Sequence, residues 1–206
     1  MPRRPVILFA AACAVIALAL SLITMVVVGG RQQAAQTTDV ATGQPLVGGD
    51  FILTDQNGKT VDQTILNGKW TLVFFGFTYC PDYCPTTLGV LNAVQERMGD
   101  KAEDLQIVFI SIDPERDTPQ MLKDYLSSDG FPDGVIGLTG TPEQVAKAAK
   151  AYRAFYQKVG EGEGYTMNHG LTVYLMGPDG QFRSAVAHDL GPSRTATLIE
   201  NAMEKG

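Results

Sequence analysis

Cysteine, histidine and positive charge are all scarce in this chain. Its 206 residues include three cysteines, two histidines, and 16 lysines and arginines against 22 acidic residues. Two of the basic residues, Arg3 and Arg4, precede Gly30, so the remainder holds 14 basic and 22 acidic residues, a net charge of −8. A surface of that sign repels nucleic acid, and no polybasic stripe is there to bind it. Internal repeats and low-complexity blocks are also missing, which leaves one soluble domain of ordinary size with an appendage.

Charge is absent altogether from residues 6–30, VILFAAACAVIALALSLITMVVVGG. About 20 apolar residues cross a bilayer as a helix, whereas a cleaved signal peptide has a core of about 7–15. This run is long for a signal and no convincing cleavage site follows it. An uncleaved transmembrane anchor is therefore expected over residues 1–30, with a long cleaved signal peptide as the alternative. Arg3 and Arg4 on its N-terminal side hold that end in the cytoplasm and send the rest across. Cys13, inside the run, behaves as a small hydrophobe. Residues 31–47 are polar and small, a flexible tether, and residues 48–206 form the domain.

Within the domain, Asn57-Gly58 marks a hairpin turn between two short extended runs. WTLVFFGF, residues 70–77, is continuously apolar and rich in aromatic and β-branched residues, as a central strand buried on both faces would be. LGVLNAVQERM has helical spacing, and LQIVFISID reads as a second buried strand. Asp117 or Thr118 caps a helix with Pro119 in its first turn. A short strand, VIGLTG, precedes a helix that Thr141-Pro142-Glu143 opens and that is expected to run to about Tyr156. The acidic glycine-rich segment 160–168 is expected to be a mobile loop leading into the strand HGLTVYLM. A Gly177-Pro178-Asp179-Gly180 turn, a further strand and a last helix from Ser193 complete the domain. Alternating strands and helices with a terminal hairpin give an α/β class, a mixed sheet with helices on both sides.

Cys80 and Cys84 follow the apolar run 70–77, and ligands in open α/β sheets gather beyond the C-terminal ends of strands. Pro85 at or near a helix start puts Cys84 where unpaired N–H groups favour thiolate. Four residues of separation bring both sulfurs to one side of a helical turn. Three uses compete: a structural disulfide, a redox pair (though with one residue more than C-x-x-C), and a two-thiolate grip on a metal. A metal needs a third donor, and His169, after the glycine-rich segment, is the candidate. His188, among polar residues, reads as a surface side chain, and Met167 as packing. Two thiolates and an imidazole suit Cu(I), Cu(II) or Zn(II), and three protein ligands lean towards copper, because zinc wants a fourth.

GKWTLVFFGFTYCPDYCPTTL, SIDPERDTP, GLTGTPEQVAKAAKAYRAFY and NHGLTVYLMGPDG together resemble the Sco/SenC family of thioredoxin-like copper proteins. The resemblance implies a thioredoxin-like fold anchored in the bacterial inner membrane with its soluble domain in the periplasm. It implies copper held by Cys80, Cys84 and His169, and a role in assembling the dinuclear copper centre of cytochrome c oxidase, as copper donor, thiol reductant or both. The expected partners are the copper-centre subunit of the oxidase and other copper chaperones or thiol–disulfide oxidoreductases. The rival reading is an enzyme, a thiol–disulfide oxidoreductase or thiol peroxidase using the Cys80–Cys84 pair, with metal binding incidental. One departure is Asn168, where the family usually has aspartate before the histidine. The segment 113–119, DPERDTP, ends a strand at the same edge as the cysteines, and a capped turn accounts for it.

Overall fold

The structure is a computed structural model and describes residues 47–205. The expected anchor and all but the last residue of the tether lie outside the described residues. Among the described residues, no helix is long and apolar enough to cross a membrane.

In chain order the strands are β1 (Ile52–Asp55), β2 (Thr60–Asp62), β3 (Trp70–Gly76), β4 (Leu105–Ser111), β5 (Ile136–Thr139), β6 (Tyr156–Val159), β7 (Thr166–His169), β8 (Val173–Met176) and β9 (Phe182–Val186). The α-helices are α1 (Tyr83–Met98), α2 (Pro119–Leu126), α3 (Pro142–Tyr152) and α4 (Pro192–Met203). Seven strands form one mixed sheet in the order β2-β1-β5-β4-β3-β8-β9, and β6 pairs with β7 in a separate hairpin.

β3 is buried along its whole length, as its unbroken apolar run requires of a central strand. It runs parallel to β4 from Trp70↔Leu105 to Gly76↔Ser111 and antiparallel to β8 on its other side. Side chains alternate between the two faces of the sheet. On one face Phe74 meets Phe109 edge-on at 5.8 Å, and Phe109 in turn meets Tyr125 of α2. Gly76 lies on that face too, against α1, and α4 packs on α1. On the other face Phe75 packs against Tyr152 of α3 at 5.4 Å and Tyr174 of β8 at 6.1 Å. Helices thus cover both faces, as the sequence pattern predicts.

Helix starts follow the capping signals. Thr118, rather than Asp117, caps α2 by accepting from the Met121 N–H at 3.2 Å, and Thr141 and Gln144 form a capping box on α3. Two expectations are corrected downstream. α3 ends at Tyr152 instead of about Tyr156, because Arg153 turns into the left-handed region at φ 54°, the only non-glycine with positive φ among the described residues. Residues 156–159 are then free to extend as β6. The segment 160–168, expected to be a loop, contributes a 3₁₀ turn and most of β7, with Tyr156 opposite His169 and Lys158 opposite Met167.

Close packing of α2 on β5 depends on Gly137. A Cβ there would lie 2.5 Å from Leu126 Cδ1 and 3.3 Å from Leu122 Cβ. Gly137→Ala is expected to destabilise the domain by about 1–3 kcal/mol through overpacking. Calorimetry should then show a Tm lower by roughly 2–4 °C per kcal/mol; an unchanged or higher Tm contradicts this packing.

Candidate metal centre

The chain leaves β3 at Gly76 and enters α1 at Tyr83, with Cys80 in the intervening loop and Cys84 in the first helical turn. Cys80 is therefore ahead of the helix, and the sulfurs do not converge by helical spacing as the sequence suggested. Convergence comes instead from the Cys84 N–H, which points at Cys80 Sγ at 3.4 Å. The Cys80 N–H donates back to the Phe77 carbonyl at 3.2 Å, closing the turn. Both cysteines are free thiols, and Cys84 is wholly buried.

Neighbouring elements fix this loop. Thr78 donates to the Asp117 carboxylate twice, from N–H at 3.1 Å and from Oγ1 at 2.6 Å. Ser111 Oγ, at the end of β4, donates to the same carboxylate at 2.6 Å. Burial pushes the Asp117 pKa up, and these donors oppose that by stabilising its charged form. On the β3 side, a Cβ at residue 76 would lie 2.8 Å from Cys84 Sγ and 2.8 Å from the Phe109 ring. Only glycine there lets the Cys84 sulfur lie against the sheet.

His169, at the end of β7, brings the third donor. Its Nε2 is 3.8 Å from Cys84 Sγ, and its Nδ1 is 2.8 Å from the Gly170 carbonyl. A carbonyl only accepts, so Nδ1 donates to it, and Nε2 is the ring atom that faces the sulfurs. The Phe77 ring stands edge-on to the imidazole at 5.8 Å and Phe74 flanks it at 6.4 Å. The two Sγ atoms and an imidazole nitrogen all lie within 4.8 Å of one another. Cys80 and His169 border a pocket of about 300 Å³ shared with Tyr83 and Leu171, while Cys84 lies buried behind them.

The two thiols are electrostatically unequal. Cys80 is lowered to about 4, first by the hydrogen bond from the Cys84 thiol and further by His169 and by the backbone N–H groups of Cys84 and Asp82, against the effect of burial. Cys84 is raised, by donating to Cys80, by burial and by the Cys80 charge. The Cys84 thiol, with the helix N-terminal amides adding to it, thus activates Cys80, whereas the sequence pointed to Cys84. The pair shares one proton, held on Cys84.

His188 is half-buried against the Tyr83 ring at 5.8 Å and lies outside the donor cluster. Met167 is buried on the inner side of β7, and Asn168 is exposed at the pocket rim. Sequence reasoning missed Gly76, Thr78 and Asp117. A glycine inside a fully buried strand was a readable signal of close approach, but Asp117 gave none, because its sequence context is that of an ordinary helix cap.

This geometry has known counterparts. The SCO1/SenC family model matches residues 39–204. The chain belongs to that family. The human mitochondrial protein SCO1 homolog is 42% identical over 144 residues, 68% of this chain and 47% of the relative; the chain thus spans about half the length of that curated relative. Bradyrhizobium japonicum ScoI, solved with copper bound, is 45% identical with a TM-score of 0.69, over 75% of this chain and 98% of that one. BsSco, described as a member of the Sco family of cytochrome c oxidase assembly proteins with a disulfide switch, is 29% identical with a TM-score of 0.60, over 76% of this chain and 93% of that one. These likenesses bear out the thioredoxin-like α/β fold implied by the SCO1/SenC resemblance.

In the reduced, metal-free protein, ultraviolet thiolate absorbance that is lost in Cys80→Ser should persist down to about pH 4 and vanish below it, as the Cys80 thiolate takes up its proton. Cys84→Ala removes the largest stabilising hydrogen bond and should move that midpoint towards the ordinary thiol value of about 8.5. A wild-type midpoint already at the ordinary value contradicts this electrostatic picture.

Proposed function

We propose that this chain carries copper for the assembly of cytochrome c oxidase, with one ion held by the thiolates of Cys80 and Cys84 and by Nε2 of His169. The observation that carries this reading is the mutual approach of those three donor atoms to within 4.8 Å. The donor set fits the metal. Two soft sulfurs and one imidazole suit copper, and among the described residues no carboxylate joins the cluster as the fourth ligand a closed zinc site would require. The copper-bound relative ScoI supports the choice of ion, and the description of BsSco supports the process served. The copper-centre subunit of the oxidase is the proposed recipient. Residues 1–30 would anchor the chain in the bacterial inner membrane and residues 31–47 would tether the domain, 48–206, in the periplasm. Support for this comes from the uncharged apolar run and the arginines before it.

The chain's own residues prepare the site. Cys80 is already a thiolate, while Cys84 must release its proton to become a ligand, so uptake of the ion liberates about one proton per chain near neutral pH. The Nδ1–H bond to the Gly170 carbonyl keeps the His169 ring turned with Nε2 towards the sulfurs. The surrounding Phe74, Phe77 and Cys84 side chains are buried and limit access of water from the sheet side. Copper, as cargo, is held by soft ligands that a recipient's own thiolates can replace one at a time.

A second reading rests on the inequality of the two thiols. The Cys80 thiolate can attack a partner's disulfide, expelling one partner sulfur as thiolate and forming a mixed disulfide. Cys84 then gives up its proton and displaces the second partner sulfur, closing the Cys80–Cys84 bond; the chain loses two electrons and the partner gains them. Both uses draw on the same pair, and His169 separates them.

Loading the full chain with Cu(II) should produce intense thiolate-to-copper absorption that disappears in Cys80→Ser or Cys84→Ser. His169→Ala should weaken binding by more than the roughly 10–100-fold typical of losing a mere supporting group, while leaving exchange with a model disulfide largely intact. Absence of the bands in the wild type, or copper uptake indifferent to the cysteine substitutions, contradicts the copper reading and leaves the thiol–disulfide one.

A further inference from the structure

The hairpin that carries His169 lies outside the seven-stranded sheet. Strand alternation puts Tyr165, Met167 and His169 on its inner side, and Tyr165 and Met167 are buried while Thr166 and Asn168 are exposed. Tyr165 therefore anchors one end of the strand and the imidazole projects from the other. Tyr165 is held chiefly by the DPERDTP turn, through the Arg116 guanidinium and the Asp113 carboxylate. Arg116 lies with its central carbon 3.7 Å from the Tyr165 ring centroid and 4.6 Å from that of Tyr79. Its Nη1 donates to the Tyr165 carbonyl at 3.0 Å and its Nε to the buried Asp113 carboxylate at 2.5 Å. The Tyr165 hydroxyl donates to the other oxygen of that carboxylate at 2.5 Å. Alongside, Lys158 of β6 pairs with Glu115 at 2.6 Å and rests 3.9 Å above the Tyr165 ring.

Arg116 thus touches both parts of the donor cluster's scaffold. Tyr79 immediately precedes Cys80, and Tyr165 immediately precedes the strand that ends in His169. We propose that Arg116 is a positioning residue: it pins the histidine hairpin to the cysteine loop and so sets the distance between Nε2 and the two sulfurs before any metal arrives. A planar, permanently charged group is required for this, because it must stack between two rings while its edge makes two directed hydrogen bonds. Lysine keeps the charge but not the plane or the fork. DPERDTP is then more than a capped turn, since its Asp113, Arg116 and Asp117 tie down the hairpin, Tyr79 and Thr78 in one short stretch.

The inference rests on the copper reading for its ligand but not for its structural content, and the test separates the two. In the metal-free full chain, Arg116→Ala should speed hydrogen exchange of the β6–β7 amides by about tenfold while leaving those of β3 and β4 unchanged, a local opening rather than global loss of stability. Apparent copper affinity scales with the docked fraction, so it falls in proportion to whatever part of that fraction the variant loses. In a His169→Ala background Arg116→Ala should cost nothing further, because the pin acts through the histidine. Arg116→Lys should show the same pattern with smaller amplitude, and it serves as the folded variant if alanine unfolds the domain. Equal loss of affinity with and without His169, or unchanged hairpin exchange in both variants, overturns the proposal. A wild-type chain that takes up no copper overturns the functional reading instead, and the metal-free exchange comparison still decides the pin.

Discussion

The turn between β3 and α1 depends on one sulfur, that of Cys80, lying where the Cys84 N–H and thiol both point at it. A thiolate in that position satisfies donors that a helix N-terminus would otherwise leave open. It also makes the pair asymmetric, with a charged outer sulfur and a protonated inner one. Gly76 beneath Cys84 and Asp117 beside Thr78 keep that asymmetry in place from two sides of the sheet end. Neither substitutes for the other: the first leaves room for a sulfur, and the second fixes the loop that carries its neighbour.

Metal holding and electron transfer emerge from this arrangement as two outcomes of one electrostatic design. A low thiol pKa lowers the cost of presenting a ligand and equally makes the pair ready for exchange. His169 favours the proposed metal use, because a disulfide would gain nothing from an imidazole nitrogen facing its sulfurs. The histidine reaches the site on an element that is not part of the main sheet, so the site is assembled from two bodies, a rigid strand–helix turn and a hairpin laid over it.

The turn was legible in the sequence, and the hairpin was not. The apolar run 70–77 announced a central strand, and two cysteines after it announced chemistry at the strand's end. His169 was found by elimination among two histidines. The hairpin escaped because residues 160–168 are glycine-rich and acidic, a composition that reads as a solvated loop. The strand character of that segment's last residues comes from pairing with residues 156–159, whose first member the sequence pattern had placed at the end of α3. The identity of the activated cysteine was misjudged for a related reason. Proximity to a helix N-terminus pointed to Cys84, but the amide in question is that of Cys84 itself, and it stabilises the sulfur four residues earlier. The polar groups that fix the loop could not be read from spacing, since Asp117 and Thr78 meet only when β3 and β4 align in parallel.

X-ray absorption at the copper edge of the loaded full chain tests the central claim most directly, because it counts ligands by element. The account predicts a first shell of two sulfurs and one imidazole nitrogen, with the nitrogen lost in His169→Ala and one sulfur lost on removing either cysteine. A first shell of nitrogen and oxygen alone, or one that keeps both sulfurs after Cys80 is removed, would contradict it.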